Sequence, residues 1–128
     1  MTRYHAAVWI DYQHARICWI GRDEAEIETV VDEGPVHHVH RKADHVGRGS
    51  KPIARDFLKK VAEALRPARA ILITGPSRAR TDLAAYLNEE VPALGKQVWD
   101  VEPMDHPSDG ELIAAARKFF HSEDRMHV

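Results

Sequence analysis

The sequence predicts an α/β fold in which helices pack on the faces of a mixed, five-stranded sheet. The first quarter of the chain holds three short segments of strand length that are separated by polar turns. The remainder alternates helix-periodic segments with two further apolar runs, the pattern of crossovers between parallel strands. At 128 residues, with 44% apolar and 30% charged content, the chain is expected to form one globular domain, residues 1–128.

Apolar runs and alternation predict the first three strands. Residues 6–10 form an apolar run that ends at Asp11, and residues 17–20 repeat it after a polar turn, which indicates a hairpin. In residues 26–31, glutamates alternate with apolar or β-branched residues. We therefore expect a half-exposed third strand at the edge of the sheet.

Apolar side chains at helical spacing predict the first two helices. The apolar stripe of the first lies within residues 53–65, with Ser50 as the expected N-cap, Pro52 in the first turn and Pro67 closing the helix. The second follows the Gly-Pro-Ser turn at residues 75–77.

Two more strands and a third helix complete the pattern. Residues 70–74 are almost entirely apolar, which is typical of a central parallel strand covered on both faces, and residues 97–101 form the last strand. A capping box of Ser108 and Glu111 begins the last helix, and residues 122–128 are expected to fray. The order β-β-β-α-β-α-β-α predicts the ribonuclease H-like three-layer arrangement.

Charge is distributed unevenly along the chain. The net charge of −2 at pH 7 argues against a general nucleic-acid binder. Residues 22–33 contain one arginine and six acids, a local charge of −5, whereas residues 37–51 contain four cations and one acid, a local charge of +3. Because residues 34–50 hold almost no apolar side chain, we expect a long, mobile, basic loop that can meet a polyanionic partner.

The loop also carries a motif. Gly47-Arg48-Gly49-Ser50-Lys51 resembles the Gly-Arg-Gly-Gly-Gln loop in the central domain of the eukaryotic and archaeal class I peptide-chain release factors and Pelota. Residues 7–21, 53–64 and 71–87 (ILITGPSRARTDLAAYL) are similar to the hairpin, long helix and strand-turn-helix of the same domain. The resemblance covers nearly the whole chain and implies a ribonuclease H-like, stand-alone component of the translational machinery.

The departure from the motif bears on activity. In the family, the loop glutamine positions water near the ester that links peptide to transfer RNA, but Lys51 stands at that position here. The resemblance therefore implies a non-catalytic module whose partner is ribosomal or transfer RNA, or the ribosome, and no catalytic residue, cofactor or metal ligand is predicted. The predicted RNA-contacting residues are Arg41, Lys42, His45, Gly47, Arg48, Gly49, Ser50 and Lys51.

Two other classes of function stay open. A ribonuclease H-like fold can carry a metal-dependent nuclease or another hydrolase, which needs several carboxylates at the strand ends. The candidate carboxylates are those of Asp11, Asp56, Glu63, Asp105 and Asp109. The set is incomplete, so we interpret Asp11 as a turn residue and Asp109 as a first-turn helix residue. The other alternative is a protein-interaction domain of unknown role.

The remaining patterns have structural interpretations. The Gly75–Arg78 turn lacks the lysine of a phosphate-binding P-loop, the three tryptophans are expected in the core, and Cys18 is expected to be a buried thiol. Solvated side chains without a fixed metal geometry are expected at His37, His38, His40 and His45. No apolar run has the ~20 residues of a membrane span and no secretory signal is visible, so a cytoplasmic protein is expected. The oligomeric state stays open.

Overall fold

The computed structural model describes residues 3–33 and 53–126. Its elements in chain order are β1 (His5–Ile10), β2 (His14–Ile20), β3 (Ala25–Val31), α1 (Arg55–Ala64), β4 (Ala70–Gly75), α2 (Ala79–Glu90), α3 (Pro92–Gly95), β5 (Val98–Pro103) and α4 (Asp109–Met126). The strands form one sheet in the order β3-β2-β1-β4-β5. β2 is antiparallel to β1 and β3, whereas β4 is parallel to β1 and β5. The predicted α/β class with a mixed five-stranded sheet is confirmed.

Different helices cover the two faces of the sheet. Along β1, Ala6, Val8 and Ile10 belong to a core cluster that includes side chains of α1 and α2. Ala7 and Trp9 belong to a second cluster, which includes side chains of α4. This division follows from the strand itself, because successive side chains point to opposite faces. The result is the predicted three-layer, ribonuclease H-like arrangement.

β4 is buried along its whole length and paired on both sides, as its apolar sequence predicts. The middle of the strand order is nevertheless β1, because the hairpin places two strands on one side of β1 and only β5 lies outside β4. Thr74 is the one polar side chain that is fully buried within residues 3–33 and 53–126, and its Oγ1 donates to the Val8 carbonyl oxygen at 3.0 Å.

The predicted start of α1 is wrong. The helix begins at Arg55 with Ala54 as its N-cap, and no side chain caps it. Ala54 has an extended conformation (φ −67°, ψ 133°), and Ile53 is buried in the core ahead of the helix. Ser50 and Pro52, which suggested an earlier start, lie outside the residues that the structure describes, and the helix begins after them. Burial of Ile53 outweighs those local signals.

The predicted start of α4 is confirmed, whereas the end of α4 and the presence of α3 differ from the predictions. The capping box is confirmed, since the Ser108 N–H donates to Glu111 Oε1 at 2.8 Å and the Glu111 N–H donates to Ser108 Oγ at 3.1 Å. α4 extends to Met126, so the helix continues past residue 122, from which the sequence predicted fraying. The short α3 was not predicted. Within the described ranges, no helix is long and apolar enough to cross a membrane.

Candidate functional site

The predicted RNA-contacting residues all lie between β3 and α1, outside the residues that the structure describes. These residues are Arg41, Lys42, His45, Gly47, Arg48, Gly49, Ser50 and Lys51. The histidines considered for metal binding, His37, His38 and His40, lie in the same segment. The structure does show the residues on either side of this segment, which are the two points between which residues 34–52 run: the end of β3 and the start of α1.

Both of these points are attached to the fold. On the β3 side, the Asp32 N–H donates to the Gln13 carbonyl oxygen at 2.8 Å, and Glu33 Oε1 lies 3.9 Å from Lys60 Nζ on α1. On the α1 side, Ile53 is 7% exposed and packs in the core. Residues 34–52 therefore connect the end of an edge strand to the start of a packed helix.

The strand registers show at which end of the sheet β3 finishes. Val31 pairs with His14, and Ile10 pairs with Ala15, so β3 ends beside the β1–β2 turn. The parallel strands β1, β4 and β5 also end there. We call this end the carboxyl edge, formed by the β1–β2 turn (residues 11–13), the end of β3, the β4–α2 turn (residues 75–78) and residues 104–109.

Asp11 closes the β1–β2 turn, as predicted. Its Oδ1 accepts the backbone N–H of Gln13 at 2.9 Å and that of His14 at 2.7 Å. Of the other acids considered for a nuclease, Asp56 and Glu63 are exposed on α1 and Asp105 contacts the ring of its neighbour His106. In the described part of the chain, no three His, Cys, Asp or Glu side chains form a group that could hold a metal ion. These residues offer no support for metal-dependent cleavage.

A second contact network joins β1 to the start of α4. The Trp9 indole N–H donates to the carbonyl oxygens of Asp105 (2.7 Å) and Met104 (3.3 Å). The Arg16 guanidinium lies 4.8 Å from the Trp9 ring centroid, and its Nη1 is 2.9 Å from Asp109 Oδ1. The assignment of Trp9 to the core is confirmed. The sequence alone did not single out Arg16. The only signal that could have found it is the presence of a cation within a strand.

Contacts within the β4–α2 turn support its structural interpretation. Arg80 Nη1 donates to the carbonyl oxygens of Gly75 (3.1 Å) and Ser77 (2.9 Å). Arg78 is exposed, and its guanidinium lies 3.9 Å from Asp82 one helical turn later. Because Arg80 holds the turn itself together, it is already occupied by the protein's own carbonyl groups. The turn shows no dedicated phosphate site.

The fold is shared with translation termination-type factors. No protein-family model and no curated protein sequence matches the chain. Among solved structures, Pelota from Thermoplasma acidophilum matches 91% of this chain with a TM-score of 0.60 and 20% identity. The archaeal translation termination factor aRF1 matches 96% with a TM-score of 0.58 and 13% identity. Dom34 from S. cerevisiae, a translation termination-like factor involved in RNA quality control pathways, matches 95% with a TM-score of 0.54 and 12% identity.

These similarities define what is common to the proteins. TM-scores of 0.54 to 0.60 establish a shared fold, and at identities of 20% and below the likeness extends no further than the fold. The predicted resemblance to the release-factor and Pelota domain is confirmed at that level. The chain covers 31% of the Pelota, 39% of the aRF1 and 37% of the Dom34 chain. It thus spans about a third of the length of the proteins that it matches.

Proposed function

We propose that this protein is a non-catalytic, translation-associated module that binds ribosomal or transfer RNA through residues 41–51, as a single cytoplasmic domain. The observation that carries the proposal is the shared fold with Pelota and aRF1 over more than nine-tenths of the chain. The structural neighbours aRF1 and Dom34 are a translation termination factor and a termination-like factor involved in RNA quality control pathways, so a partner in the same machinery is the natural candidate.

The composition of the segment supports a binding role. Four cations (Arg41, Lys42, Arg48 and Lys51) and one acid lie in residues 37–51, and attraction to phosphates is the main source of nucleic-acid affinity. Its glycines permit close approach of backbone to a ligand. Lys51 at the position of the family's glutamine removes the amide that would orient water, which favours binding over hydrolysis.

The test is the salt dependence of RNA affinity. A variant with Arg41, Lys42, Arg48 and Lys51 all changed to Ala is compared with the natural chain by fluorescence anisotropy on single-stranded ribosomal RNA fragments. At roughly 0.7 per phosphate contact, four lost contacts flatten the slope of log affinity against log salt by about 3.

A matched control separates a specific surface from net charge. Lys59, Arg66, Arg78 and Lys96 are exposed and lie outside residues 34–52, so changing these four to Ala removes the same charge. The control variant is expected to keep a slope near that of the natural chain. Equal flattening in both variants, or no RNA binding by the natural chain at low salt, overturns the proposal and leaves the protein-interaction alternative.

A further inference from the structure

A groove of about 700 Å³ opens at the end of the sheet opposite the carboxyl edge. The pairing of His5 with Ile20 and with Ala70 shows that β1 and β4 begin here and that β2 ends here. The groove runs between this end of the sheet and residues 117–121 of α4, and we call it the amino-edge groove. Its volume is that of an ordinary small-ligand site.

One wall of the amino-edge groove is aromatic. Tyr4 is 43% exposed, and its ring meets the His5 ring edge-on at a centroid distance of 4.5 Å. The His5 ring in turn packs edge-on against Phe120 at 4.7 Å, and Phe120 is almost fully buried. The Tyr4 ring is thus held by contact with packed rings, and the exposed Tyr4 side chain lines the groove. A planar ligand can stack on such a ring.

The charged side chains that line the groove are all basic. Arg22, Arg117, Lys118 and His121 line the groove, and none of its described lining residues is an Asp or Glu. Arg117 is held in place, because its Nη1 donates to the Gly21 carbonyl oxygen at 3.2 Å and lies 3.5 Å from that of Arg22. A positioned guanidinium beside the exposed cations Arg22 and Lys118 is suited to a phosphate.

The acids of the neighbouring edge strand face away from the groove. Glu26 and Glu28 on β3 pair with Trp19 and Ile17, which belong to the core on the α1 and α2 side of the sheet. Both glutamates also contact Arg3, at 3.1 and 3.3 Å. The negative charge of Glu26 and Glu28 is therefore directed away from the basic lining on the α4 side.

We propose that the amino-edge groove binds a nucleotide, with the base stacked on Tyr4 and the phosphate between Arg22, Arg117 and Lys118. The aromatic wall and the basic lining together match a ligand that is planar and apolar at one end and doubly charged at the other. The groove lies at the opposite end of β1 from the end of β3, roughly 17 Å away at ~3.3 Å per residue. Its described lining residues are different from the residues of the proposed RNA-binding segment.

The test titrates the full-length, ¹⁵N-labelled protein with AMP and follows its backbone amide resonances. Saturable shifts are expected at residues 4–5, 20–22 and 117–121. Tyr4→Ala is expected to weaken AMP binding at least about fivefold through lost stacking, and Lys118→Ala about five- to tenfold through a lost charged contact. Tyr4→Phe, which keeps the ring, and Lys59→Ala, an exposed cation on α1, are expected to bind AMP as the natural chain does.

Three further arms separate the sources of such a ligand and the two sites. A trinucleotide RNA that binds more tightly than AMP, with the same dependence on Tyr4, identifies a nucleotide of an RNA strand as the ligand; equal affinity identifies a free nucleotide. The variant lacking Arg41, Lys42, Arg48 and Lys51 is expected to keep its AMP affinity, whatever happens to its RNA binding. Chemical-shift changes that AMP produces at other residues instead of these overturn the proposal. Inorganic phosphate that binds as tightly as AMP overturns it as well.

Discussion

Gly75 at the end of β4 lies directly against the backbone carbonyl oxygen of Ile10 at the end of β1. A Cβ on Gly75 would overlap that oxygen, and the residue has φ of +155°, where L side chains are strained. The Gly75 carbonyl oxygen also accepts hydrogen bonds from the Met104 N–H and from Arg80. This glycine therefore lets three segments of the carboxyl edge meet.

Gly75→Ala is expected to lower the free energy of unfolding by about 2 to 4 kcal/mol, because it adds both backbone strain and steric overlap. Urea denaturation followed by circular dichroism measures the loss. Gly110→Ala is the matched control, since a Cβ there approaches only Ser108 Oγ, at 4.0 Å, and helix propensity favours Ala by up to about 1 kcal/mol. Similar losses at both positions would refute the role of the Gly75 contact.

The capping box makes a second prediction about stability. Ser108→Ala is expected to cost about 1 kcal/mol, because the Glu111 N–H loses its acceptor. Combining it with Glu111→Ala is expected to cost less than the two single changes together, since the two hydrogen bonds are reciprocal. Ser122→Ala, an exposed change on the same helix, provides the control. Strict additivity in thermal or urea unfolding would argue against a coupled cap.

Cys18 makes a prediction about pH. Burial raises the pKa of the Cys18 thiol from its ordinary 9.0 to about 11; Arg117 opposes this rise and Asp109 adds to it. Between pH 9 and 11 the unfolded chain has lost the thiol proton while the folded chain keeps it, so the free energy of unfolding falls as pH rises through this window. Below pH 9 the contribution of the thiol to stability is complete.

Two measurements check this behaviour. In the folded protein at pH 8, a thiol reagent is expected to react with Cys18 far more slowly than in the urea-unfolded chain. Cys18→Ala is expected to lose the part of the stability decline between pH 9 and 11 that belongs to the thiol, whatever its effect on stability at pH 7. Equal labelling rates in the folded and unfolded states would contradict the burial of the thiol.

Much of the fold could be predicted because burial and helix capping leave local patterns in the sequence. β4 is covered on both faces and reads as an apolar run, and the reciprocal bonds of Ser108 and Glu111 follow from residues three positions apart. The start of α1 could not be predicted in the same way. The local signals at Ser50 and Pro52 pointed to an early start, but the decisive interaction, the burial of Ile53, is tertiary.

The same difference between local and tertiary signals explains which of the two proposed sites could be predicted. The basic segment is contiguous, so its composition is visible in the sequence alone. The amino-edge groove is assembled from Tyr4, Arg22 and Lys118, which are far apart along the chain and meet only because β1 pairs with β2 and α4 packs across both. Arg16 and Asp109 are likewise 93 positions apart. Such contacts depend on register and packing, which no local pattern specifies.

The substitution at the family's glutamine position makes a prediction about catalysis. No release of peptide from peptidyl-transfer RNA on ribosomes is expected, because Lys51 cannot supply the amide that orients water. The double change Ser50→Gly and Lys51→Gln is not expected to restore release, since the chain spans only about a third of the factors it resembles. A complete archaeal termination factor provides the positive control. A codon-independent rate well above buffer that disappears when residues 47–50 are deleted would contradict this.

Association with ribosomes tests the proposed function most directly. The natural chain, the variant with Arg41, Lys42, Arg48 and Lys51 changed to Ala, and the control variant at Lys59, Arg66, Arg78 and Lys96 are each sedimented with purified ribosomes at low and high salt. The natural and control proteins are expected to co-sediment at low salt and to dissociate as salt rises, while the first variant stays in the supernatant. Co-sedimentation of that variant to the same extent as the natural chain, or no co-sedimentation of the natural chain at low salt, would contradict the account.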